Sequence, residues 1–467
     1  MYRVITGAFN ARRLLLVLGE HALIVLAVLL AGVVRLGTGA AASAWQEWAL
    51  RGMVVAAVLQ VCLHYSDLYD MRTLSDHRDL LVGLLRSLGA ASLILAILYY
   101  WIPEMSLGRG VFALAAALII ALVVGWRLSF EWLSLQRRPA ERLLIVGTGQ
   151  AAVGLARELT SRRSEFGAAI VGFVGADASK VGQRLDGEPN LGVIGTVRDI
   201  PAMVRQYEVD RVVVSLADAR GKLNMDELLS MKMNDGVRFD HLASVYEEYT
   251  GKIAVENLRP SWMIFSDGFN KSDRMEALKR VSDMVLASIG LVLAAPLMFV
   301  AWLGIRLTSP GPTIYSQTRV GKDNAPFTIH KFRSMRVNAE ATSGAVWAVE
   351  NDPRVTPFGR FLRRTRLDEL PQLWNVLRGD MSFVGPRPER PEFVQDLARQ
   401  IPFYGQRHAV RPGLTGWAQV RHRYGASVDD SQEKLQYDLF YIKHMSPAFD
   451  IYIVLETVKT VLVRRGS

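Results

Sequence analysis

Met284-Val-Leu-Ala-Ser-Ile-Gly-Leu-Val-Leu-Ala-Ala-Pro296-Leu-Met-Phe-Val-Ala-Trp-Leu-Gly-Ile-Arg306-Leu307 decides how this chain is built. The stretch is apolar for long enough to cross a bilayer, which takes about 20 residues. Pro296 stands at its centre, where proline removes a backbone hydrogen bond and kinks or breaks a helix. Basic residues flank both ends, with Lys279 and Arg280 before it and Arg306, Arg319 and Lys322 after it. Two forms compete. An ordinary kinked span would carry everything beyond it across the membrane. A re-entrant helix–break–helix would leave both flanks on the cytoplasmic face, and the symmetric charge and central proline favour it.

Upstream lie four more apolar stretches, Leu14–Val34, Trp48–Leu63, Leu84–Ile102 and Val111–Phe130. The first is long, contains Glu20 and His21, and has no cleavage pattern, so it reads as a span and not as a removed signal peptide. Arg3, Arg12 and Arg13 precede the first stretch. Arg72, Arg78 and Arg86 surround the second-to-third connection, and Arg127, Arg137, Arg138 and Arg142 accompany the end of the fourth. The connections at Thr38–Glu47 and near Pro103 are poor in basic residues. Both ends of the region are therefore expected in the cytoplasm. Glu20 and Arg51 are expected to pair within it, in a structural role.

Half of the 467 residues are apolar, yet 21% are charged, which fits membrane parts joined to soluble parts. The net charge of +10 is spread along the chain. It suits anionic lipid or phosphorylated substrates. No zinc spacing or nucleic-acid motif accompanies it, so nucleic acid is not an expected partner. Cys62 is the single cysteine, which excludes a disulfide within the chain.

Between the spans and the Pro296 stretch, Leu143–Gly147 reads as a buried strand and Gly149–Thr160 as a helix. The turn Gly147-Thr-Gly149-Gln-Ala-Ala152 lies between them. This is the pattern of a Rossmann-like βαβ unit. Ala169–Val174, Ile200–Tyr207, Arg211–Ser215 and Met225–Met233 continue the alternation and imply a parallel sheet. The turn alone is a weak signal. Asp177 lies beyond the second strand, where a ribose-binding acid is uncertain, and no Tyr-x-x-x-Lys pair follows. A turn that only shapes the fold and a regulatory nucleotide site both remain open.

Beyond residue 308 polar motifs crowd together. Ser309-Pro-Gly-Pro312 is a stiff turn, followed by Gln317-x-Arg319-x-Gly321 and Lys331-Phe-Arg333-Ser-Met335. Asp352-Pro-Arg354 precedes Arg363-Arg364-Thr-Arg366-Leu-Asp368-Glu369-Leu-Pro371-Gln372. Val384-Gly-Pro-Arg387-Pro388 closes the block. Arginines bind phosphate oxygens in pairs. A carboxylate can hold Mg²⁺ or attack phosphorus.

In this order, and with Lys279-Arg280-x-x-Asp283 ahead of them, the motifs resemble the bacterial sugar transferase family, the monotopic phosphoglycosyl transferases. The four spans and the Rossmann-like middle are similar to its long form. The tail Arg411-Pro-Gly-Leu-Thr-Gly-Trp-Ala-Gln419 is similar to a branch tied to exopolysaccharide synthesis and exosortase systems. Ala295 stands where many relatives carry serine.

The resemblance implies three parts. Residues 1–136 would form a four-helix transmembrane domain and 137–265 a Rossmann-like domain. Residues 271–467 would form an α/β catalytic domain with a re-entrant helix over 281–308. It also implies a magnesium-dependent transfer of sugar 1-phosphate from a UDP-sugar to polyprenyl phosphate, with release of UMP. Asp368 would attack phosphorus and Glu369 would bind Mg²⁺, although the adjacent pair could divide the two roles differently. Lys331, Arg333, Arg363 and Arg387 would position phosphates. The setting would be the bacterial inner membrane, with the catalytic domain on its cytoplasmic face among membrane lipid, and a homodimer is compatible with it. Two rival readings are a nucleotide-sugar oxidoreductase or epimerase using the glycine turn, and a non-enzymatic scaffold of a polysaccharide assembly.

Overall fold

The computed structural model describes residues 11–37, 45–66, 68–69, 77–137, 141–161, 168–185, 188–215, 225–234, 236–255, 263, 266–337, 339, 352–422, 425 and 427–462. Arg3, Arg72 and Arg138 lie outside them. The chain divides into two compact units, 1–250 and 251–467.

The first unit opens with four apolar helices, α1 (Ala11–Leu36), α2 (Trp45–Tyr65), α3 (His77–Trp101) and α4 (Arg109–Arg137). Each contains a stretch long and apolar enough to cross a membrane. Helix α1 packs on both α2 and α4, and α2 packs on α3. The expected Glu20–Arg51 pair does not form. Because α1 lies along α4, Glu20 instead accepts a 2.5 Å hydrogen bond from Arg127 Nε, and both side chains are at most 1% exposed. Arg127 Nη1 also donates to the Leu68 carbonyl at 2.7 Å. Arg51 pairs one turn away with Glu47, at 3.6 Å. Arg127, counted above among the flanking charges, is thus an internal residue.

The rest of this unit is a six-stranded sheet in the order β3-β4-β2-β1-β5-β6. Strand β1 (Glu141–Val146) leads through α5 (Gln150–Ser161) to β2 (Ala168–Gly175). Short β3 (Arg184–Leu185) runs antiparallel to β4 (Glu188–Thr196). Helix α6 (Ile200–Tyr207), β5 (Arg211–Val214), α7 (Met225–Asn234), β6 (Arg238–His241) and α8 (Leu242–Thr250) follow. The pairs β1–β2, β2–β4, β1–β5 and β5–β6 are parallel. Alternate residues of β1 serve two cores: Leu143 and Ile145 face one, Leu144 and Val146 the other. Two-sided burial explains why β1 reads as an unbroken apolar run. Gly147 turns the chain into α5 at φ +114°, a left-handed value. Asp177 caps its own turn, accepting from Ser179 N at 3.0 Å.

The second unit begins by docking residues 251–255 against its own C-terminal helices. Trp417 Nε1 donates to the Gly251 carbonyl at 2.9 Å, and Ile253 N donates to the Gln436 carbonyl at 3.1 Å. Lys252 pairs with Glu433 at 2.6 Å. Helix α9 (Asp273–Thr308) runs without interruption across Pro296, so the expected helix–break–helix is here one continuous helix. After it come the antiparallel hairpin β7 (Ile314–Val320) and β8 (Pro326–Phe332), then α10 (Pro357–Arg364) and α11 (Gln372–Arg378). Strand β9 (Ser382–Val384) lies parallel to β10 (Gly413–Thr415), with α12 (Pro391–Gln400) between them in sequence. Helices α13 (Trp417–Arg421), α14 (Val428–His444) and α15 (Pro447–Leu462) finish the unit.

Both halves of α9 pack on these elements. Ala287 lies in one core with Ile329, Val376 and Met381, while Ala301 and Ile305 share another with Phe332 and Leu362. Asp283, 3% exposed, accepts from Ser382 Oγ at 3.0 Å and Phe383 N at 2.9 Å. Arg280 caps α11 by donating to the Val376 and Leu377 carbonyls. Much of the remaining α9 surface, including Val292, Leu293, Phe299 and Leu307, is exposed and apolar.

Two outcomes follow. Arg127→Met alone should destabilise the protein by about 3–5 kcal/mol, because it strands a buried carboxylate. Glu20→Leu combined with Arg127→Met should recover most of that loss in a thermal scan. Separately, a fragment beginning at residue 251 should melt higher than one beginning at 271, since the shorter form loses the Gly251–Val255 docking.

Candidate active site

The β7–β8 hairpin, α9 and α10 border a polar edge, and several of the motif residues gather there. Thr356 caps α10, accepting from Gly359 N at 2.9 Å, with Pro357 in the first turn. Gly359 is required by closeness: a Cβ there would lie 1.9 Å from the Ser334 carbonyl oxygen. This contact seats α10 on the end of β8. Arg363 then reaches back, its Nε donating to Ser334 Oγ at 2.9 Å. Helix α10 ends at Arg364, and, two residues on, Arg366 adopts a left-handed conformation at φ +57° and opens the 3-10 turn Leu367–Glu369. The sharp bend brings two adjacent carboxylates to the polar edge.

Their surroundings differ. Glu369 Oε1 accepts from Lys331 Nζ at 3.2 Å and Arg387 Nη2 at 3.1 Å, and Arg366 Nη1 stands 4.0 Å away. Burial works against its charge, but the cations of Lys331, Arg387 and Arg366 outweigh burial and hold its carboxyl well below the usual range. Asp368 is 8% exposed, and its Oδ1 has no hydrogen-bond partner. Burial and the neighbouring Glu369 charge push its carboxyl up, against the pull of Lys331, Arg363 and Arg366. Lys331 is pushed down, by burial first, with Glu369 opposing. Two neighbouring carboxyls driven in opposite directions are a hallmark of divided catalytic roles.

Lys331, Arg363, Arg387, Asp368 and Glu369 thus lie together. Arg333 stands apart from Glu369. Its Nη2 donates to the carbonyl and hydroxyl of Ser309, at 2.9 and 3.0 Å, so it braces the turn that leaves α9. Asp352 and Arg354 close on each other at 2.6 Å, and Arg354 holds the Asp352 carboxyl down at about 2.

Sequence reading did not single out Arg366 as a neighbour of Glu369. It also missed the buried pair Arg407–Asp438, at 2.8 Å, behind Arg387. Nothing in the spacing of residues 407 and 438 ties them to position 387.

Among the described residues no three His, Cys, Asp or Glu side chains form a metal cage. The donor set is the adjacent pair, one member with an unbonded buried oxygen. Such a pair suits a hard cation that shares its shell with water and a substrate phosphate, as Mg²⁺ does. A fixed cation set beside a buried carboxylate suits chemistry at a phosphate ester.

Comparison with known proteins agrees with this chemistry. Residues 274–464 match the bacterial sugar transferase family, and residues 64–239 match a CoA-binding domain. An Aeromonas hydrophila UDP-N-acetylgalactosamine-undecaprenyl-phosphate N-acetylgalactosaminephosphotransferase is 39% identical over 284 residues, which cover 61% of this chain and 63% of the relative. A UDP-glucose:undecaprenyl-phosphate glucose-1-phosphate transferase of Escherichia coli is 38% identical, over 61% of this chain and 58% of the relative. The chain thus spans less than two thirds of those two proteins. A protein of the same designation from Xanthomonas campestris is 31% identical over 395 residues, 77% of this chain and 79% of the relative. On the extent of that last match and the motif block within residues 274–464, the chain belongs to the bacterial sugar transferase family.

Proposed function

We propose that the protein transfers a sugar 1-phosphate from a UDP-sugar to undecaprenyl phosphate and releases UMP, as the initiating step of exopolysaccharide synthesis. The observation that carries the reading is Asp368, buried with an unbonded oxygen beside the Lys331–Glu369–Arg387 cluster. Asp368 attacks the phosphorus that bears the sugar. The bond to the UMP phosphate breaks, and UMP leaves with the electron pair. An oxygen of undecaprenyl phosphate then attacks the same phosphorus, the bond to Asp368 breaks, and the carboxylate is restored. Each half is a displacement at one phosphorus, so the kinetics are ping-pong.

Lys331, Arg363 and Arg387 hold phosphate oxygens in place, and their charge meets the charge that builds up as phosphorus is attacked. Arg333 supports this set by fixing the turn at Ser309. Glu369, with Asp368 beside it, would hold Mg²⁺, which neutralises diphosphate charge when bound.

The membrane setting has its own support. A straight helix of 36 residues would be about 54 Å long, well over the roughly 30 Å of a bilayer core. Yet contacts with the catalytic elements run from Glu276, paired with Lys322, to Ile305 in the core with Leu362. A helix held by one soluble unit near both ends favours entry and exit by the same, cytoplasmic, face of the inner membrane. Pro296 removes one backbone hydrogen bond at the middle of this otherwise continuous helix, where a bend would return the chain to the same face. The four helices α1–α4 would form a separate transmembrane bundle.

The assay is UMP release from UDP-glucose or UDP-N-acetylgalactosamine, with undecaprenyl phosphate and Mg²⁺. Asp368→Asn should lower it by at least about a thousandfold, since an amide cannot act as the anionic nucleophile. The folded state disfavours the Asp368 charge, so the variant should melt no lower than the parent. Steady release by folded Asp368→Asn protein would sink the nucleophile assignment. For topology, Asn270→Cys and Lys322→Cys in a Cys62→Ala background should both resist an impermeant thiol reagent in intact cells. Labelling at residue 322 would establish a full span.

A further inference from the structure

The segment Pro386-Arg387-Pro388 is short of donors, because neither proline has an N–H. Its carbonyls nevertheless all find partners, each from a different place. Gly413 N donates to Pro386 O at 2.9 Å, and Val320 N donates to Glu389 O at 3.0 Å. Between them, two guanidiniums serve the remaining carbonyls. Arg407 Nη2 donates to Arg387 O at 3.1 Å, and Arg319 Nη1 donates to Pro388 O at 3.2 Å. Arg407 is 4% exposed. It is held in turn by Asp438 Oδ2, 3.1 Å from Nε and 2.8 Å from Nη2, and by Tyr404 Oη, 2.7 Å from Nη1. Asp438 is 1% exposed.

A buried ion pair of this kind is a poor source of stability, since apolar replacements often do as well. Its position suggests another use. The carbonyl it grips belongs to the residue whose guanidinium reaches Glu369. With φ restrained by proline on either side, fixing that one carbonyl orients the peptide plane from which the Arg387 side chain departs.

We propose that Arg407, held by Asp438, is a positioning residue for the phosphate-binding Arg387. It sets where the Arg387 guanidinium stands relative to Glu369 and Asp368, and it touches neither substrate. The inference rests on the transferase reading given above, in which Arg387 engages phosphate.

The test is a double-mutant cycle on the full chain in lipid nanodiscs, measuring UMP release. Arg407→Met, and Arg407→Met paired with Asp438→Leu to avoid a stranded carboxylate, should each lower kcat by about ten- to a hundredfold, the scale of a catalytic group displaced by an ångström. Arg407→Lys should rescue only in part, because it cannot grip carboxylate and carbonyl together. In an Arg387→Met background the same Arg407 changes should cost no further activity. Hydrogen exchange gives a second readout free of activity. The amides of Arg387 and Glu389 should exchange faster in the Arg407 variants, while those of β7 and β8 away from Val320 keep their protection.

Additive losses in the two backgrounds, unchanged kcat in the folded Arg407 variants, or unchanged exchange at residues 387 and 389 would each overturn the assignment. So would full activity of Arg387→Met. A parent protein that releases no UMP would instead refute the transferase reading, and the exchange experiment would still decide whether Arg407 fixes this backbone.

Discussion

Everything at the polar edge depends on one half-buried carboxylate, Glu369, being surrounded by positive charge. A lone ionised glutamate in that environment would be expelled or neutralised. Lys331 comes from β8, Arg387 from the loop after β9, and Arg366 from the bend after α10. Glu369 therefore ties its own turn, which carries Arg366, to two segments distant in sequence. The same cations act on Asp368, which lacks such direct contacts and stays under the influence of burial. One residue is thereby committed to holding the cluster together, and its neighbour is left with an oxygen to spare.

This division was partly legible in the sequence. The motif block contains five of the residues that meet, but its composition alone also suits a solvated charged helix, and it was the order of the motifs and the family resemblance that pointed to them. The alternation of strands and helices also revealed the parallel sheet, since two-sided burial writes itself as continuous apolar runs at Leu143–Val146 and Val212–Val214. Strands β4 and β6 were not visible. Gly192 and Gly195 dilute the apolar signal of β4, while β6 is the edge strand and carries Arg238 and Asp240.

Other features were hidden because only tertiary packing creates them. Glu20 was expected to find Arg51, the nearer charge in sequence among the spans. The contact between α1 and α4 delivers Arg127 instead. Arg333 sits beside Lys331 in a dense cationic motif, yet two residues further along the strand it addresses Ser309 rather than Glu369. Arg407 and Asp438 lie on separate helical elements, so their pairing behind Arg387 leaves no trace in spacing. Local chemistry announces which residue types matter, but which residue supports which is decided by the packing of distant segments.

Asp283 adds a consequence of its own. It is a polar residue on an apolar helix, and its carboxylate is bonded to the backbone and side chain of β9, four residues before Arg387. That bond fixes how far along the apolar helix the polar edge sits. Under the proposed function, in which the second substrate carries its phosphate on a membrane-bound tail, this would turn encounter into a planar problem. The Asp368 carboxylate would then ride at one constant height, and the lipid need only drift sideways to reach it.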